Sequence, residues 1–168
     1  MDVVPDLQAR PAAVQENGAG MSDGPAGASQ TVLCVDDEPN IVSALRRLFR
    51  SSGYRVVTAT SGAEALTLLE GEPVDLIFSD MRMPGMDGAQ LLEQVRARWP
   101  GTARVLLTGY ADMRSTISAI NTGEVYRYIT KPWNDEEILA TARQVFERKA
   151  LQAEKSRLEA LTHAQNQE

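Results

Sequence analysis

The chain has a single cysteine, Cys34, in 168 residues. That excludes an intramolecular disulfide and a metal site built from cysteines. No apolar run approaches the length needed to cross a bilayer. The N-terminus lacks the apolar core of an export signal, so the chain is read as cytoplasmic, with no membrane partner. Positive charge is in deficit: 17 Lys and Arg stand against 23 Asp and Glu, a net −6, which gives no support for direct nucleic-acid binding. Residues 1–30 have almost no large apolar side chains and carry four acids and one base. Such a segment cannot offset its ordering entropy by burial and is expected to be disordered. Met21, just upstream of the patterned part, is an alternative start.

What is present from residue 31 onward alternates between two periods. Apolar, β-branched runs at 31–35, 54–60, 74–79, 104–107 and 125–130 read as strands. Between them lie amphipathic stretches. Residues 39–50 open with Pro39, suited to a first helical turn, and carry Ile41, Leu45, Leu48 and Phe49 as a stripe. Ser61 and Glu64 have capping-box spacing before a helix through Leu69. Residues 87–98 place Leu91, Leu92 and Val95 inward and stop near Pro100 and Gly101. Residues 112–121 form a helix with apolar Ile117 and Ile120. Asn134, with Glu137 three residues on, caps a last helix. Five strand–helix units imply right-handed crossovers and an α/β, doubly wound parallel sheet, with 74–79 as its central strand.

In such a sheet the strand ends of one polarity meet at one edge, where ligands bind. Here those ends carry Asp36 and Asp37, Asp80, Thr108 and Lys131. Clustered carboxylates repel one another, and a hard divalent cation resolves the conflict; Mg²⁺ (or Mn²⁺) takes oxygen ligands and binds through one or two carboxylates plus a phosphate. Asp80, between the acid pair and Lys131, is then placed as a nucleophile towards phosphorus. The metal would neutralise charge on the phosphoryl oxygens. Lys131 offers a point cation and Thr108 a hydroxyl donor.

Four stretches carry a resemblance: Val35-Asp36-Asp37-Glu38, the run from Asp80 through Met83-Pro84-Gly85 to Gly88, Thr108-Gly109-Tyr110, and Tyr128-Ile129-Thr130-Lys131-Pro132. In that order, at the ends of those strands, they resemble the receiver domain of two-component response regulators over roughly 31–148. The resemblance implies a five-stranded, flavodoxin-like sheet of order 2-1-3-4-5 with an extended C-terminal helix. It implies that Asp80 is the phosphoacceptor, fed by a sensor histidine kinase or phosphotransfer protein. It implies Mg²⁺ held by Asp36, Asp37, Asp80 and the backbone carbonyl of Arg82. Thr108 would be the switch hydroxyl, Tyr128 the switch aromatic, Lys131 the phosphate-pairing lysine, and Lys131-Pro132 a cis peptide. The 121–133 stretch is similar to receivers fused to HD-GYP phosphodiesterases or found in hydrogenase-type transcriptional regulators. Gly109 stands where the family more often has alanine, and Arg82 and Tyr110 flank the phosphate entrance.

Bland readings stand beside these. Asp87 and Gly88 read mostly as an ordinary turn, Cys34 as a small core hydrophobe, Trp99 as packing at a helix end, and His163 as solvated. Trp133 reads equally as local packing or part of an output surface. A haloacid-dehalogenase-like phosphatase would need an acid two residues after the nucleophile; Arg82 stands there, so a turnover enzyme is not expected. A phosphorylation-independent interaction module is the other alternative, disfavoured by the complete set of acids, threonine and lysine. Beyond about Lys149 the text changes to Leu151, Leu158 and Leu161 among charged residues. That spacing suggests a coiled-coil seam and a homodimer, although Glu154 occupies one seam position. The chain is therefore divided into a disordered 1–30, a receiver 31–148 and a helical linker 149–168.

Overall fold

The computed structural model describes residues 30–109, 112–121 and 125–165. The expected disordered segment up to residue 29, Met21, Tyr110 and the 122–124 part of the 121–133 stretch lie outside the described residues.

Among the described residues five strands alternate with five helices. They are β1 (Thr31–Val35), α1 (Pro39–Ser51), β2 (Arg55–Ala59), α2 (Gly62–Gly71), β3 (Leu76–Asp80), α3 (Gly88–Arg98), β4 (Ala103–Thr108), α4 (Met113–Asn121), β5 (Arg127–Thr130) and α5 (Asp135–Gln165). Every strand pair is parallel, and the sheet order is β2-β1-β3-β4-β5. β1 and β3 are buried at every position, as strands covered on both faces must be. Their side chains alternate between two cores. Leu33, Val35 and Ile77 join Ala65, Leu69, Leu91, Leu92 and Val95 on the α2–α3 side. Val32, Cys34, Leu76 and Phe78 join Leu45, Phe49, Ile138, Ala142, Val145 and Phe146 on the α1–α5 side. No helix of the described residues is long and apolar enough to cross a membrane.

Helix starts follow local chemistry, with two corrections to the expected caps. Ser61 does accept from the Glu64 amide at 3.1 Å. The return bond, however, goes one residue further: the Glu64 carboxylate accepts from the Thr60 amide and hydroxyl at 3.1 and 3.0 Å. The complete capping box is at α3, where Asp87 accepts from the Gln90 amide at 2.8 Å and Gln90 accepts from the Asp87 amide at 3.0 Å. Asp87 is thus a helix cap rather than an ordinary turn residue. Strand edges shift by one or two positions, with β3 beginning at Leu76 and taking in Asp80.

α5 is one helix of 31 residues, about 46 Å long at 1.5 Å per residue. Asn134 caps it, accepting from the Glu136 amide at 2.8 Å. Phe146 is the last buried residue and Lys149 is half-buried; from 150 to 163 every residue is exposed. Packing against the sheet ends by Lys149 among the described residues, and the helix does not break there. Leu151, Leu158 and Leu161 stand 72%, 52% and 56% exposed. Trp99 ends α3 beneath the Arg98 guanidinium, 4.3 Å from its ring.

Candidate functional site

The carboxyl ends of β1, β3, β4 and β5 meet at one sheet edge. Asp36 follows β1 and is fully buried; its carboxylate accepts from the Glu38 amide at 2.9 Å, and its own amide donates to the Ala59 carbonyl at 3.2 Å. Asp37 faces solvent beside it. Asp80 ends β3, with its side chain 10% exposed. Carboxylate oxygens from Asp36, Asp37 and Asp80 all lie within 4.8 Å of one another.

Lys131 closes the cluster. Its ammonium donates to Asp36 Oδ2 and lies against Asp80 Oδ1, both at 2.9 Å. The Lys131 amide donates to the Thr108 carbonyl at 2.8 Å, which fixes the lysine to the end of β4. The Lys131-Pro132 peptide is cis. Thr108 is fully buried, its hydroxyl donating to the Gly109 carbonyl at 3.1 Å. Tyr128 is half-buried against the α2–α3 core. Arg82 turns its guanidinium away from the acids, to Asp112 at the head of α4, 2.9 Å away.

The electrostatics follow from burial. Desolvation pushes the Asp80 carboxyl above its ordinary value; the Lys131 hydrogen bond opposes this, and the charges of Asp36 and Asp37 add to it. Burial pulls Lys131 down, but its bonds to Asp36 and Asp80 outweigh that and leave it raised. With all three acids ionised, three negative charges face one ammonium, a residual −2. An all-oxygen donor set with that residual charge fits a hard divalent cation.

Gly88 is part of this architecture, and sequence reading missed it. A Cβ there would stand 2.1 Å from the Asp80 carbonyl oxygen and 2.9 Å from Leu106 Cδ1. The start of α3 is thus pressed against the backbone of Asp80, held by the Gly88 amide donating to the Met81 carbonyl at 2.8 Å. Only glycine permits that approach. Gly85, in the intervening loop, has φ +79°, the left-handed region that glycine adopts without strain. Glycines in a loop are visible in a sequence, but which backbone they touch is not.

Three carboxylates and an ammonium gathered at the carboxyl edge of a doubly wound parallel sheet are the arrangement of a signal-receiving module. The family model of the response regulator receiver domain matches residues 32–143, and the chain belongs to that family. It is 42% identical over 129 residues to the hydrogenase transcriptional regulatory protein HoxA of Cupriavidus necator, covering 77% of this chain and 27% of that one. It is 36% identical over 109 residues to the DNA-binding transcriptional regulator NtrC of Escherichia coli, covering 65% of this chain and 23% of that one. The chain therefore spans about a quarter of the length of these curated relatives. Among solved structures, it resembles the signal receiver domain of an HD domain-containing protein from Pseudomonas fluorescens Pf-5, with TM-score 0.72 and 37% identity over 78% of this chain and 96% of that one. These relatives are regulators, and the receiver match covers the sheet and most of its helices.

Proposed function

We propose that this receiver takes a phosphoryl group on Asp80 from the phosphohistidine of a sensor kinase or phosphotransfer protein. The observation that carries this is the position of Asp80: the end of the central strand, among Asp36, Asp37 and Lys131. An Asp80 carboxylate oxygen attacks phosphorus, the P–N bond breaks, and the imidazole nitrogen keeps the electron pair. The product is an acyl phosphate on Asp80. Asp36, Asp37, Asp80 and the Arg82 carbonyl would hold Mg²⁺ (or Mn²⁺), which when bound supplies charge neutralisation to the phosphoryl oxygens. Lys131, held by Asp36, is the cation that moves onto a phosphoryl oxygen as Asp80 gives up its negative charge. The chain transfers the group to itself and sheds it slowly, with Arg82 standing where a turnover phosphatase would carry its general acid.

Thr108 is the switch donor. Its hydroxyl leaves the Gly109 carbonyl for the new phosphate, and Tyr128 rotates inward; the phosphate drives this only if it binds the two arrangements with different energies. The receiver ends near 148, and the linker beyond it joins two copies through Leu151, Leu158 and Leu161. An exposed lone helix of this polarity is marginal in water, which supports a second helix across that seam. The setting is cytoplasmic, and the output passes through α5.

Acetyl phosphate with Mg²⁺ tests the reading. The acid-labile adduct maps to Asp80, and Asp80→Asn does not label. Labelling elsewhere, or labelling undiminished in excess EDTA, refutes it. Light scattering on the full chain and on a chain ending at Lys149 tests the dimer; monomers at every concentration in both refute that part.

A further inference from the structure

The loop that follows Asp80 is tied by charge to the head of α4. Arg82 Nε donates to Asp112 Oδ1 at 2.9 Å. The two ends of this pair are unlike. The Arg82 side chain is 75% exposed, whereas that of Asp112 is 15% exposed. Among the described residues Arg82 meets Asp112 through Nε alone, which uses one donor of a five-donor fork. The backbone that leads to Arg82 is fixed. The Met81 amide donates to the Leu107 carbonyl at 2.9 Å, and the Met81 carbonyl accepts from the Gly88 amide at 2.8 Å. The guanidinium can therefore leave Asp112 by side-chain rotation, without moving the loop. Asp112 has a second tie to the site. Its amide donates to the Gly109 carbonyl at 3.1 Å, and that same carbonyl accepts from the Thr108 hydroxyl at 3.1 Å. The head of α4 is thus bonded to Arg82 and shares an acceptor with Thr108.

We propose that Asp112 is a positioning residue for the phosphoryl transfer: it holds the Arg82 guanidinium aside from the acid cluster and yields it to the phosphoryl group once Asp80 carries one. This rests on the reading of Asp80 as phosphoacceptor. Before transfer, three carboxylates and the Lys131 ammonium leave −2 at the site, which suits a divalent cation. A guanidinium folded onto the acids would cut that to −1 and compete with the metal. Asp112 keeps it away. Transfer then replaces the single charge of the Asp80 carboxylate by about two, spread over three oxygens. A guanidinium fork matches those oxygens better than the one carboxylate oxygen it meets on Asp112. Arg82 stands only two residues beyond Asp80, so the exchange is local. It also reports to α4. The phosphoryl group draws Arg82 from Asp112 and the Thr108 hydroxyl from the Gly109 carbonyl, so both links at the head of the helix change in one event.

The test is a double-variant cycle on the full chain: Arg82→Ala, Asp112→Asn and the two together. Calorimetric titration reads Mg²⁺ binding first, and then beryllofluoride, a phosphoryl mimic, in saturating Mg²⁺. Asp112→Asn is expected to tighten the mimic about two- to fivefold and to weaken Mg²⁺ by a similar factor. In the Arg82→Ala background the same step is expected to lose most of both effects. Effects of equal size without Arg82 come from the field of a lost charge alone and overturn the proposal. A loss of mimic affinity in Asp112→Asn, as from a merely structural residue, or no change, also overturns it. Labelling by acetyl phosphate separates this from the reading beneath it. If the parent labels on Asp80 while the cycle shows no coupling, the positioning role fails and the phosphoacceptor stands. If the parent neither labels nor binds the mimic, both fall.

Discussion

Replacing Lys131 by Met tests the site without any phosphodonor. The ammonium bridges Asp36 and Asp80, whose side chains are 0% and 10% exposed. Removing one partner of a buried ion pair costs about 3–5 kcal/mol, because the other charge stays behind uncompensated. Lys131 is 25% exposed, so water replaces part of what is lost; about 2–3 kcal/mol is expected in EDTA near pH 7.5. At roughly 3 °C per kcal/mol for a chain of this size, Tm falls by about 6–9 °C. The loss is pH-dependent. Asp80 is raised above its ordinary value of 3.8 in the fold. Over the window between the two values, the folded state keeps a proton that the unfolded chain has released. The stability this gives is fully present below the unfolded value and is lost as pH rises through the folded value. Without Lys131 the folded value rises further and the window widens towards neutrality. The gap between parent and variant in denaturant melts should therefore be smaller at acid pH than near pH 7.5. Adding Asp80→Asn to Lys131→Met should recover most of the loss. A gap that is the same at both pH values, or no recovery in the double variant, refutes this account of the cluster.

Three further outcomes follow from the same geometry. Asp37→Ala, at a solvent-facing position, should leave Tm in EDTA unchanged while abolishing the rise in Tm on adding Mg²⁺; a retained rise removes Asp37 from the metal set. Gly88→Ala, whose Cβ would meet the Asp80 carbonyl at 2.1 Å, should destabilise by about 1–3 kcal/mol and slow labelling by acetyl phosphate; normal labelling at full stability contradicts the close approach. Cys34 is fully buried, and burial pushes its thiol far up, so a thiol reagent should modify it only as fast as the chain unfolds; fast labelling of folded protein contradicts the core assignment.

The strand ends were legible because chemistry and periodicity coincide there. Asp80 closes an apolar run, and Asp36, Thr108 and Lys131 do the same on their own strands. The parallel topology then has to bring these ends together, and the structure places all four at one edge. Sequence could not show how Lys131 divides itself between Asp36 and Asp80, because that depends on rotamers. Nor could it show Arg82 reaching Asp112, which lies thirty residues away. The caps misled for a related reason. Ser61 with Glu64 and Asp87 with Gln90 share one spacing, and which pair closes reciprocally depends on where the neighbouring backbone amide points.

Helix α5 starts three residues after Pro132 at the acid edge, crosses the sheet, and leaves past Lys149 at the far edge, without interruption. It behaves as an axle rather than a tether. A tilt of about 5° where it is seated would swing its tip, roughly 24 Å beyond Lys149, by about 2 Å. Azimuth is fixed as strictly as direction. Inserting one residue between Lys149 and Leu151 turns the row of Leu151, Leu158 and Leu161 by about 100° around the axis, whereas inserting seven returns it to nearly the same bearing. Anything coupled to that row is therefore timed by residue count, and a ladder of one- to seven-residue insertions would read out as a phase.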